Sequence, residues 1–178
     1  MPVRRLARAA AAGALAVAIA SSTAMVPLAA QPSTRLRVAV TLPGTIPNGI
    51  PAGATGLDGR LVVVFSTDST AEPRFQVGYG ARTQPAFAID VTNWKPGETR
   101  VVDGGAFGFP LASLGALPRG TYRVQALLNR YETFTRSDGR TVSLPPDQGE
   151  GQKWNAKPGN LYSAPAMLAV DPTRGGEL

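Results

Sequence analysis

Residues 117–129 read LPRGTYRVQALLN, and their pattern sets the fold class. Pro118 and Gly120 turn the chain, because proline fixes its own backbone and glycine relaxes it. Beyond the turn, Tyr122, Val124 and Ala126 alternate with Arg123 and Gln125. That two-residue period is a strand with one apolar face. Downstream, 130–135 continues as a bent or separate strand. Ser137-Asp138-Gly139-Arg140 then makes a hairpin turn that 141–144 answers. Upstream, 60–66 (RLVVVFS) is short, β-branched and bounded by turn signals, which predicts a buried strand, and 86–91 (AFAIDV) predicts another. Trp94-Lys95-Pro96-Gly97 makes a turn before a strand over 99–102.

The tyrosine just after that first turn resembles the tyrosine corner of immunoglobulin-like sandwiches, in which the hydroxyl returns to the backbone upstream. Tyr122 is therefore expected to be structural, and Trp94 to pin its own turn. The rest of the chain fits the same class. An edge strand is expected over 35–42 and a Gly/Pro-rich loop over 43–59, ending in a turn at Asp58-Gly59. A short strand at 74–77 and a helical turn near 111–114 follow. The long polar loop of 145–165 leads to a last strand at 167–170. The expected fold is all-β, an immunoglobulin-like antiparallel β-sandwich with long Gly/Pro-rich loops.

Residues 1–30 carry Arg4, Arg5 and Arg8, no acid, then an apolar run from Ala9 to Ala20 and small residues to Ala30. This is the pattern of an export signal cleaved before Gln31, the competing reading being an uncleaved anchor. The expected location is secreted or periplasmic, with no stable membrane span after cleavage. The remaining 148 residues divide into a leader strand and loop at 31–56, one β-sandwich domain at 57–172 and a linker-like tail at 173–178. All 12 acidic residues stay, whereas three of the 18 basic ones leave with the signal, so the formal charge falls from +6 to +3. The basic residues that stay are scattered singly, without the clusters that grip nucleic acid, so no nucleic-acid partner is expected.

The chain has neither cysteine nor histidine. That removes disulfides, thiol nucleophiles, the Ser-His-Asp triad and ordinary zinc sites, and no cofactor is expected. Two places hold candidate ligand chemistry. Asp147 and Glu150, with the amides of Gln148 and Gln152, form an oxygen-rich loop of the kind that holds calcium. Its spacing matches no EF-hand, and Lys153 opposes a cation. Trp154 with Asn155, Tyr162 and Tyr131 would make an aromatic shelf for a sugar or a peptide, or would pack beneath the long loop and pin it. Glu132, Asp138, Asp147 and Glu150 are the carboxylates near enough in sequence for acid/base chemistry.

The stretch from Leu57 to about Pro172 resembles the N-terminal accessory region of exported bacterial proteins whose following domain is an esterase of the enterochelin-esterase type. The likeness is carried by Gln84-Pro85-Ala86-Phe87, by the run NRYETF at 129–134, and by DQGEGQKWN at 147–155 with KPGNLYS at 157–163. It implies a non-catalytic accessory or interaction module whose partner is a hydrolase domain in cis. The catalytic serine, histidine and acid would lie in that other domain. Residues 171–178 read as an interdomain linker, the mark of a chain that continues, a free-standing protein being the alternative. A carbohydrate- or peptide-binding module using the 145–165 loop is the second expectation, and a carboxylate-dependent hydrolase the third.

Overall fold

The structure, a computed structural model, describes residues 36–46, 49–147, 149, 151, 153–174 and 176–177. The expected export signal and the residues up to 35 lie outside them, as do Gln148, Glu150 and Gln152. The described chain is all-β, built of antiparallel sheets in the manner of a β-sandwich. Its strands are β1 (Leu36–Thr41), β2 (Leu57–Ser66), β3 (Ala86–Trp94), β4 (Thr99–Val102), β5 (Phe107–Phe109), β6 (Gly120–Arg130), β7 (Glu132–Thr135), β8 (Thr141–Leu144), β9 (Leu161–Tyr162), β10 (Ala166–Val170) and β11 (Gly176–Glu177). The larger sheet runs β10-β6-β2-β3-β5, and β9 lies beside β6 at Leu127 and Leu128. A smaller sheet runs β11-β1-β4, with β11 parallel to β1, and β7 and β8 pair with each other alone.

Strands β2 and β6 hold the centre because their alternation puts large apolar groups on one face. Leu61, Val63 and Phe65 of β2, with Val124 and Leu128 of β6, meet Leu36 and Val38 of β1 and Val102 of β4 in one core. Phe65 is fully buried and stands edge-on to both Phe87 and Tyr122, at 5.8 and 5.9 Å between ring centres. Each such side chain contributes about 1.5–3 kcal/mol by leaving water. The other face of β2 is covered too. Val62 and Val64 form a second apolar patch with Ala86 and Ala88, against which Val77 and Trp154 pack. Burial on both faces explains why 61–65 is a continuous apolar run rather than an alternating one.

Two corners close the core. The Tyr122 hydroxyl donates to the Pro118 carbonyl at 2.7 Å, and Trp94 Nε1 donates to the Glu98 carbonyl at 2.9 Å across a turn in which Gly97 has φ 81°. That turn is stitched to β1, since Leu42 N–H donates to Glu98 O and Gly97 N–H to Leu42 O.

Several expectations are corrected. The strand at 35–42 is no edge: β1 lies between β11 and β4, and Leu36 and Val38 are core residues, so the domain extends upstream of Leu57. Asp58-Gly59 is not a turn but part of β2. Asp58 Oδ1 accepts the N–H of Asn93, whose positive φ of 48° marks a bulge in β3. A Cβ on Gly59 would stand 2.5 Å from Asn129 O. Pro73 starts a 3-10 turn over Pro73–Phe75 where a short strand was expected, since proline presets the helical φ. The helical turn comes at Leu114–Ala116, after the short β5 and a cis Phe109–Pro110 bond. Strand β10 is followed by β11, which returns to β1 within the segment read as a linker.

Candidate functional site

Strand β6 presents Tyr122, Val124, Ala126 and Leu128 to the main core. Arg123, Gln125, Leu127 and Asn129 therefore lie on the opposite face. That face is roofed by the segment after β2 and by the long loop after β8, and Gln125 fastens both. Buried to 1% exposure, it accepts the Arg74 N–H through Oε1 at 3.1 Å. Through Nε2 it donates to Glu72 Oε2 at 3.0 Å and to Ser163 O at 2.9 Å. Arg74 completes the clamp. Its guanidinium lies 4.1 Å from the ring centre of Phe75 and 3.9 Å from that of Tyr162, and Nη1 donates to Asn155 O at 3.0 Å. Asn155 Nδ2 returns a bond to Arg74 O at 2.9 Å, and Arg74 Nε pairs with Glu72 at 2.8 Å. The Gln125 amide, and then Arg74, hold the Glu72 carboxyl below the usual glutamate value.

Asn155 and Tyr162 thus come together at Arg74, where they tie the loop down. Trp154 is nearby in sequence but does different work. Half-buried, it packs on the patch of Val62 and Val64 and also walls a cavity of about 100 Å³ with Asn129, Pro145, Pro146, Asp147 and Lys157. A depression of about 250 Å³ adjoins it, sharing Pro146 and Lys157 and reaching Arg130, Glu132 and Asn160. Asn160 holds the rim, because its Oδ1 accepts the Arg130 N–H at 3.2 Å while its Nδ2 donates to Trp154 O at 2.6 Å. Tyr131 joins neither group; its N–H donates to Asp58 O where β6 gives way to β7.

Two side chains make this cavity unusual. Lys157 and Asn129 are each only 7% exposed, and Asn129 Oδ1 is buried with no donor among the described residues. A buried acceptor left without a donor costs about 1–3 kcal/mol, so such groups call for a partner. In the sequence Gln125 and Asn129 stand out only as polar breaks on one face of an apolar strand, a weaker signal than the aromatics of the loop. Nothing local in the sequence marks Arg74 or Lys157.

The calcium expectation falls partly outside the described residues with Glu150. Asp147 spends its Oδ1 on the N–H groups of Gly149 and Gly151, at 2.8 and 3.3 Å. Asp138 is in the hairpin turn, 3.8 Å from Arg136.

Among the described residues the β7–β8 hairpin pairs with neither sheet. Its register puts Phe134 opposite Val142 and Glu132 opposite Leu144, so these four share one face while Thr133, Thr135, Thr141 and Ser143 share the other. Phe134 and Leu144 are 41% and 51% exposed. No helix among the described residues is long and apolar enough to cross a membrane. In comparisons with protein-family models, curated proteins and solved structures, nothing matches this chain.

Proposed function

We propose that this chain is a non-catalytic, exported accessory or interaction module that holds a protein partner through the β7–β8 hairpin. One observation carries the reading. A two-stranded hairpin is marginal by itself in water, yet this one pairs with neither sheet and carries the exposed Phe134 and Leu144 beside Glu132 and the partly buried Val142 on a single face. An exposed apolar pair of this kind becomes useful when another surface covers it. The partner named by the resemblance of 129–134 and 147–163 to esterase accessory regions is a hydrolase domain of the same polypeptide or locus.

The test is hydrogen exchange on the chain alone and with the hydrolase domain encoded beside it. Slowed exchange over 132–144 in the mixture, lost in a Phe134→Ser/Leu144→Ser variant that keeps its melting temperature, is the expected result. Unchanged exchange over the hairpin, or the lack of any neighbouring hydrolase frame, would overturn the reading.

A further inference from the structure

Two backbone bonds reveal which way the peptide groups of β1 point. Leu42 N–H donates to Glu98 O, and Leu42 O accepts from Gly97 N–H, so the peptide groups of Leu42 face β4. Groups two residues apart along a strand face the same edge, so those of Val38 and Val40 face β4 as well. Those of Arg37, Ala39 and Thr41 face the other side. Thr41 agrees with this, since its hydroxyl meets that of Thr99 at 2.8 Å, as side chains do in the close pairs that exchange no backbone bonds. On that other side β11 covers only Leu36 and Arg37. Ala39 and Thr41 meet no strand there among the described residues.

Such an edge is usually guarded by lysine, proline or a bulge. Residues 38–41 (VAVT) have none of these, and they pair one for one with β4 from Val38 opposite Val102 to Thr41 opposite Thr99. A gap lies beneath the same stretch. Val40 and Leu42 on one side and Ala126, Leu128 and Leu161 on the other enclose a cavity of about 110 Å³. It exists because Ala126, standing between Val124 and Leu128 on the core side of β6, is too small to fill it. Thr41, Pro43 and Tyr162 line it and are exposed, so it opens to solvent beside the edge.

An extended chain meets both needs at once. Its backbone pairs with Ala39 and Thr41, and every second side chain points down into the gap. Strand β11 shows the direction, since it already lies parallel to β1 on this edge and stops beside Arg37. A segment entering in the same direction begins where β11 leaves off. An apolar cavity of roughly 150 Å³ holds a benzene molecule, so this one suits a single branched aliphatic side chain.

We propose that the Ala39–Thr41 edge binds an extended segment of a protein partner, added parallel to β1, with a valine, leucine or isoleucine aligned with Val40 filling the cavity over Ala126. The site is separate from the β7–β8 hairpin and does not rest on the partner proposed there.

The experiment is amide-resolved hydrogen exchange by NMR on the chain with the peptides acetyl-Thr-Xaa-Thr-Xaa-Thr-amide, where Xaa is valine, leucine, isoleucine or serine. In the chain alone the Ala39 and Thr41 amides are expected to exchange fast while Val38 and Val40 are protected. At least one aliphatic peptide should slow Ala39 and Thr41, and the serine peptide should bind about tenfold or more weaker, the equivalent of one aliphatic side chain left unburied. Ala126→Leu fills the cavity from within and should weaken binding similarly without lowering the melting temperature. Ala39→Pro removes an edge donor that makes no bond to β4 and should abolish binding. Protection of Ala39 and Thr41 in the chain alone, or protection that grows with chain concentration, would overturn the assignment, the second outcome making a further copy the occupant. So would slowing by none of the aliphatic peptides, equal slowing by the serine peptide, or slowing that survives both substitutions.

Discussion

Replacing Tyr122 with phenylalanine removes one oxygen and leaves the rest of the corner in place. The residue is 4% exposed, its ring packs edge-on against Phe65, and its hydroxyl makes a 2.7 Å bond to the Pro118 carbonyl. Phenylalanine keeps the ring contact, so the expected cost is that of one buried hydrogen bond, about 1 kcal/mol. For a domain of this size that lowers the melting temperature by about 2–4 °C. Urea unfolding measures it directly, with the midpoint falling and the slope unchanged. The pH dependence supplies a second check. Burial raises the Tyr122 phenol above its ordinary value of 10.0, so the folded state holds that proton more tightly than the unfolded state does. The associated stability is fully present below the unfolded value and is lost as pH rises through the folded one. The gap between parent and Tyr122→Phe should therefore narrow on the alkaline side. A variant as stable as the parent at neutral pH, or a gap constant into the alkaline range, would refute the reasoning.

Two other substitutions examine the roof and the centre of the larger sheet. Arg74→Leu removes two cation–ring contacts and the bond to Asn155 O, at a cost of about 1–3 kcal/mol. It should speed tryptic cleavage after Lys153 before global unfolding, as limited proteolysis would show. Gly59→Ala would press a methyl group to 2.5 Å from Asn129 O, between the paired strands β2 and β6. A loss of about 2 kcal/mol or more is expected in urea titration.

The all-β fold was legible because its strands either alternate apolar with polar residues or become β-branched runs where apolar groups cover both faces. Residues 122–126 show the first pattern and 61–65 the second, and neither needs knowledge of distant neighbours. Position within a sheet is different. Whether β1 is an edge depends on β11, more than 130 residues away and only two residues long, and no local pattern announces such a pairing. Likewise Asp58-Gly59 has the composition of a turn. It becomes strand because Asp58 caps the bulge at Asn93 and Gly59 fits against β6, both tertiary facts.

The candidate recess was legible only in part. Trp154 stood out as an aromatic in a polar loop, and it does line the cavity. Tyr162 stood out for the same reason, yet Arg74 takes its ring, a contact between residues 88 positions apart. Asn129 and Lys157 carry the polar half of the recess because β6 turns one to the roofed side and the loop folds the other over it. Their proximity is a product of topology, which composition and spacing do not encode.

Gln125 has a further consequence for how the chain finds one alignment among many. A slip of β6 by two residues along β2 would keep every apolar side chain on the correct face, since the period of a strand is two. Hydrophobic burial alone would scarcely distinguish the shifted sheet from the native one. The shift would carry the Gln125 amide about 7 Å along the strand, away from Arg74 N–H, Glu72 and Ser163 O, and strand its polar atoms under the roof. One amide with three correctly spaced partners thus serves as a key that fits a single register, and it locks the pairing that the apolar pattern leaves degenerate.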